Sequence, residues 1–161
     1  MSSGSTSGQG EEGVGYTAAQ AARLSGCSAG QVETWRRIGL VTPERSTGSY
    51  RFGDLVALRM VASLLDAGVP MARIRRAVAE LLRAGEDVGT LSLISDGERV
   101  LACRDDGQVL DVLRRGQLVL FVSVDRMADD VEAEVRAFDA ERRAFVAGLR
   151  ERDAHPSGSD R

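Results

Sequence analysis

Apolar positions change their spacing several times along this chain, and each change marks an element. Ala21, Ala22 and Leu24 share one face of a short helical segment, residues 18–24, opened by Tyr16-Thr17. Ser25-Gly26-Cys27-Ser28 forms a tight turn. A second helical segment follows at residues 29–38 and ends at Gly39. Val32 and Ile38 pack toward the first helix, while Gln31, Trp35 and Arg36 point mostly the other way. Val41-Thr42-Pro43 leads into a loop over residues 44–52. Asp54 is placed to cap a helix reaching about residue 67, with Leu55, Leu58, Val61, Ala62 and Leu65 at helical spacing and Gly68 as its stop. Pro70 starts a further helix to about residue 84, with Ile74, Val78, Leu81 and Leu82 on one face.

Residues 89–124 switch to a period of two. Leu91, Leu93 and Ser95 alternate before Asp96-Gly97, and Val100, Ala102 and Arg104 alternate after it. Asp-Gly between alternating runs predicts a hairpin. Asp105-Asp106-Gly107 reads as a second turn, and residues 108–116 as either a short helix or an irregular segment. Residues 118–124 are nearly all apolar and read as a buried strand, completing a three-stranded antiparallel sheet. From Asp125 to about residue 152 the pattern is helical again. Val131, Val135, Phe138, Arg142, Phe145 and Leu149 follow at spacings of 4, 3, 4, 3 and 4, a heptad seam. Such a seam serves either a partner helix or the helix's own sheet.

The expected fold class is α+β and mostly helical. It has a winged helix-turn-helix over residues 16–85, a small β-rich module over 89–124 and a long C-terminal helix over 125–152. Residues 1–15 are a Gly/Ser-rich tail expected to be disordered, and residues 153–161 form a polar tail. Helix, Gly-containing turn, helix and basic loop together point to double-stranded DNA. A recognition helix must present polar and cationic groups to base edges and phosphates, and its rear must pack on the first helix. Ser28 can cap the second helix, whose free amides suit a phosphate. Arg45 and Arg51 suit phosphate neutralisation from the wing. Tyr50 can lie on the backbone or anchor the wing in the core.

Charge sharpens this picture. The chain of 161 residues has a formal net charge of −3 and no Lys. Residues 16–85 hold ten Arg against five acidic residues, whereas residues 86–161 hold eleven Arg against seventeen. A basic front half is the electrostatic footprint of a DNA reader, and the acidic rear half is not expected to touch DNA. Cys27 and Cys103 lie far apart and the lone His155 sits in the tail, so no ligand cluster for a metal is expected, and no cofactor. Cys27 is expected to be packing, and Cys103 a buried strand residue in preference to a thiol sensor. No nucleophile–base pair or phosphate-binding Gly loop stands out, so an enzyme is not expected. No apolar run approaches a membrane span, and a cytoplasmic, nucleoid-associated location is the expectation.

Residues 16–84 resemble the DNA-binding domain of the MerR family of transcription regulators. The matching residues include Tyr16-Thr17, Ala21-Ala22, Leu24-Ser25-Gly26, Ser28, Trp35, Arg37-Ile38-Gly39-Leu40, Pro43, Arg45, Tyr50-Arg51-Phe52, Asp54-Leu55, Gly68 and Ile74. The chain departs from the family at Glu33-Thr34-Trp35, where an Arg and two aromatics are usual, and at Ser49, where the family has Gly. Glu33 would repel phosphate, although it can accept from a cytosine amino group. The resemblance implies DNA contacts from Thr17, Ser28, Gln31, Trp35, Arg36, Arg37, Arg45, Ser49, Tyr50 and Arg51. It also implies a homodimer joined through the Val131–Leu149 seam, reading two half-sites about 34 Å apart, with activation by DNA bending and untwisting. RNA polymerase or a sigma factor is the further partner it suggests. The alternative is a protein-interaction module with weak DNA binding. A small-molecule effector would need a cavity at the dimer interface, lined by the sheet and Phe138 or Phe145, and a purely structural module is favoured over a sensor.

Overall fold

The computed structural model describes residues 15–96, 99–115 and 120–154, excluding the side chains of residues 113–115. The expected N-terminal tail up to residue 14, Gly97 of the hairpin turn, Leu118 and Val119, and the tail from His155 onward lie outside the described residues.

Helix α1 (Ala18–Ser25) and helix α2 (Ala29–Arg37) start the same way. Thr17 Oγ1 accepts the Gln20 amide at 3.2 Å while Gln20 Oε1 accepts the Thr17 amide at 3.0 Å. Ser28 and Gln31 repeat this reciprocal box at 3.1 and 2.8 Å. Each box satisfies two amides that a helix start would leave without partners. Gly26, at φ 73°, carries the turn between the helices in a left-handed conformation that a side chain rarely adopts. The expected packing face holds for Ala21, Ala22, Leu24 and Val32, but Ile38 is 37% exposed at the end of α2. Gly39 already turns the chain there, so Leu40 and Val41 take the inward place.

Helix α3 (Phe52–Asp66) is the hub. It packs on α1, on α4 (Met71–Arg83), on a short 3-10 turn at Val88–Thr90, and on the C-terminal helix. Leu55, Val56, Ala57, Leu58, Met60, Val61, Ala62 and Leu64 are all buried, so α3 is apolar around most of its circumference, as a central helix must be. The cap differs from expectation. Arg51 is the flanking residue, and Asp54, in the first turn, reaches back to accept the Arg51 amide at 2.9 Å. Burial pushes the Asp54 carboxyl above its usual range, with that amide opposing. Helix α4 begins at Met71, one residue after Pro70, and buries Ile74 and Val78.

Strands β1 (Ser92–Ser95), β2 (Val100–Cys103) and β3 (Leu120–Val122) form an antiparallel sheet in the order β2-β1-β3. Leu93 pairs with Ala102 on one side and Val122 on the other. That face joins the core of the N-terminal helices through Leu93 and Val122. The opposite face carries Ile94 and Cys103, covered by Val109 and Val112 of α5 (Asp106–Arg115). Two readings are corrected here. Asp105-Asp106-Gly107 is a helix start, not a second turn: Asp105 Oδ1 accepts the Gln108 amide at 2.9 Å, and α5 follows. The last strand is not uniformly buried. It is an edge strand with Phe121 41% exposed, and Val124 already belongs to the next helix. Cys27 and Cys103 are both buried, and burial pushes both thiols up.

Helix α6 (Val124–Ala154) is capped by Ser123, whose hydroxyl accepts the Arg126 amide at 3.3 Å, and not by Asp125. Its first turns are part of the core, with Met127 and Val131 buried.

Candidate nucleic-acid interface

The two helices and the loop after them meet at Tyr50. Its main chain pairs with Tyr16 in both directions, Tyr16 N to Tyr50 O at 2.9 Å and Tyr50 N to Tyr16 O at 2.8 Å. The side chain is only 3% exposed, and burial pushes its phenol up while the Arg36 charge opposes. Tyr50 is therefore the root of the wing, anchored in the core, and not a groove contact. The wing closes with Glu44 N donating to Ser49 O at 2.9 Å and Gly48 N to Glu44 O at 2.6 Å. Thr47 Oγ1 lies 2.5 Å from Ser49 Oγ and 3.1 Å from Glu44 Oε2. This network ties Ser49 to the wing itself. Arg45 at the tip and Arg51 at the exit are exposed.

Trp35 is corrected outright. The ring is fully enclosed, and its indole N–H finds no acceptor among the described residues. Of Gln31, Trp35 and Arg36, the α2 side chains that the helical pattern left for DNA, Trp35 is therefore core. What remains outward is Glu33, Arg36 and Arg37, with Gln31 half-buried. Arg36 donates to Glu33 from Nε at 2.9 Å and from Nη2 at 2.6 Å, and Arg37 Nε lies 3.7 Å from the same carboxylate. Arg36 holds the Glu33 carboxyl below its usual range. A depressed carboxyl keeps its pairing above that range and loses it only as pH falls through the lowered value, so the pairing persists at neutral pH. The sequence reading of Glu33, a charge that repels phosphate or accepts from a cytosine amino group, leaves out this pairing. The Glu33 spacing of three and four residues from the two arginines already carried the pairing signal.

The exposed cationic surface here comprises Arg36 and Arg37 of α2, flanked by Arg45 and Arg51. Thr17 and Ser28 stand exposed at the two capped helix starts, where amides and a hydroxyl can meet phosphates. Guanidiniums here suit base edges or phosphates, and their spread over two elements suits a groove with a flanking strand.

The seam residues separate along α6. Val131 is fully buried in the chain's own core, so it is not available to a partner. Val135 and Phe138 are half-buried against the same core. Arg142 is exposed, with its guanidinium 6.0 Å from the Phe138 ring centre. Phe145, Val146 and Leu149 are 64%, 44% and 41% exposed. Phe138 and Phe145 line a depression with Arg23, Glu141, Arg142 and Val146, and no sheet residue takes part in it. A larger cleft of about 480 Å³ lies elsewhere, where Arg59, Asp66, Phe121, Arg126 and Asp130 meet. Among the described residues no group of three metal-ligating side chains occurs, and no helix is long and apolar enough to cross a membrane.

Residues 16–81 match the sequence model of the MerR HTH family of regulatory proteins. Three curated relatives, one from Mycobacterium bovis and one from each of two strains of Mycobacterium tuberculosis, are 33% identical to this chain over 140 residues. All three are described as uncharacterized HTH-type transcriptional regulators. The alignment covers 82% of this chain and 62% of each relative, so the chain spans about three fifths of their length. Residues 16–81 are thus similar to the MerR HTH family of regulatory proteins.

Proposed function

We propose that this chain is a sequence-specific, double-stranded-DNA-binding transcriptional regulator. In this reading it acts as a homodimer on a pseudo-palindromic operator and works by distorting the DNA between the half-sites. One observation carries the reading: α2 and the wing present Arg36, Arg37, Arg45 and Arg51 outward from a fully packed scaffold. The homodimer rests on the exposed apolar residues in the outer half of α6, which a second copy of that helix would cover. Distortion would follow if the dimer's half-site separation differs from that of relaxed DNA.

The test is fluorescence anisotropy on a duplex from immediately upstream of the chain's own gene, against an unrelated duplex, across a salt series. Selective binding with a steep salt slope is expected. Arg36→Ala and Arg51→Ala should each weaken binding, leave the fold intact and reduce the salt slope by about one. Unchanged affinity and slope would remove those residues from the interface.

Glu33 makes a separate prediction. Glu33→Gln removes a negative charge from the contact face and frees Arg36, so affinity should rise roughly two- to fivefold at low salt and the gain should fade as salt rises. An affinity loss would mean that the carboxylate is needed to aim Arg36 or to accept from a base.

The second reading is a protein-interaction module acting through a sigma factor or RNA polymerase. The engagement of both α2 arginines by Glu33 favours it, since less cationic charge is left for phosphates. Equal, weak binding to both duplexes would support this reading, and capture of a sigma factor by the chain would establish it.

A further inference from the structure

We infer that Arg23 is a positioning residue: it fixes the direction in which α6 leaves the DNA-binding body, and through α6 the separation of two recognition helices. The second part rests on the homodimer proposed above; the first does not.

Arg23 lies on α1, in the helix-turn-helix itself. Its Nη2 donates to Glu141 Oε2 of α6 at 2.6 Å. Its guanidinium carbon also sits 5.4 Å from the centre of the Phe138 ring, one turn earlier on α6. A cation over an aromatic face and a charged hydrogen bond therefore act together on two consecutive turns. Beyond Glu141 the apolar residues of α6 are exposed, so this is where the helix parts from the body.

Position gives the contact its leverage. The last fully buried residue of α6 is Val131. At 1.5 Å per residue Glu141 lies about 15 Å further along, and the helix end about 35 Å. A swing of about 10° around Val131 would move that end by about 6 Å. The ion pair is exposed, with side chains 53% and 61% accessible, so it adds little to global stability. Its effect is on angle, where a contact far from the pivot resists most.

The experiment uses the full chain with spin labels on Ser46→Cys at the wing and Arg150→Cys near the end of α6, diluted with unlabelled chain so that only the intrachain distance is read. Cys27 and Cys103 are buried and stay unlabelled. A narrow distance distribution is expected, broadened by Arg23→Glu and narrowed again by Arg23→Glu with Glu141→Arg. Unchanged width in Arg23→Glu overturns the inference. Broadening without rescue in the double variant shows general damage to α1 and also overturns it.

The functional arm compares an operator selected from random duplexes with versions in which the half-site spacing is changed by single base pairs. Arg23→Glu should flatten the spacing preference by about two- to fivefold, and the swap should restore it. A preserved preference in a dimeric Arg23→Glu protein overturns the link to recognition. A monomeric wild-type chain by light scattering would instead overturn the homodimer, with the label widths still deciding the role of Arg23.

Discussion

Trp35→Ala is expected to destabilise the protein by about 3–5 kcal/mol, the cost of emptying a fully enclosed aromatic site. Urea unfolding followed by circular dichroism measures it. The expectation separates two roles for the same residue. As a DNA contact, Trp35 would be dispensable for folding, and its loss would show only in affinity. With 0% exposure it fills the space between α2 and the core, so loss of DNA binding should follow loss of the fold. Trp35→Phe sharpens the test. It leaves a smaller void and removes an indole N–H that has no acceptor among the described residues. A buried donor without a partner itself costs roughly 1–3 kcal/mol, so the two effects oppose each other. Trp35→Phe should therefore stay within about 2 kcal/mol of the wild type. Wild-type stability in Trp35→Ala would return the ring to the contact face.

Phe145→Asp combined with Leu149→Asp is expected to leave each chain folded and to abolish the proposed homodimer. Both side chains are already largely exposed, so the charge falls on surface and not in the core. Light scattering should give the mass of one chain, with a thermal midpoint close to the wild type. Operator affinity should fall by at least about 100-fold, because two half-sites would no longer be engaged at a high effective concentration. Val131→Asp is the contrast: it places a carboxylate in a fully buried position and should unfold the chain. A dimer retained by the Phe145/Leu149 variant would move the interface away from the outer half of α6. The sheet face with Leu101 and Phe121, 38% and 41% exposed, would then be the first place to look.

Local signals were readable along the chain without coordinates. Thr17 and Ser28, each followed three residues later by Gln, specify two helix starts through contacts that span one turn. Gly26 and Gly39 mark the turns because their positive φ is open to glycine alone at little cost. The alternation around Asp96 marks the β1–β2 hairpin, whereas its register, with Ser95 opposite Val100, belongs to the tertiary structure. Even the Glu33–Arg36 pair was present in the spacing. Asp105 shows the limit of such reading: an acidic residue before Asp-Gly serves a turn or a helix cap equally well, and the segment after it decides.

The arginine-bearing wing and the order of elements were therefore set by short-range chemistry. Which face each element shows to its neighbours was decided by tertiary structure. A helical repeat reports that one face is apolar, and it is silent on what covers that face. Trp35 could face a groove or a core, and the path of the chain places it in the shared core cluster. The heptad spacing of α6 served two purposes in succession: Val131 faces its own chain and Phe145 faces outward. Arg23 and Glu141 meet across 118 residues of sequence, and only the path of the chain in space brings them together.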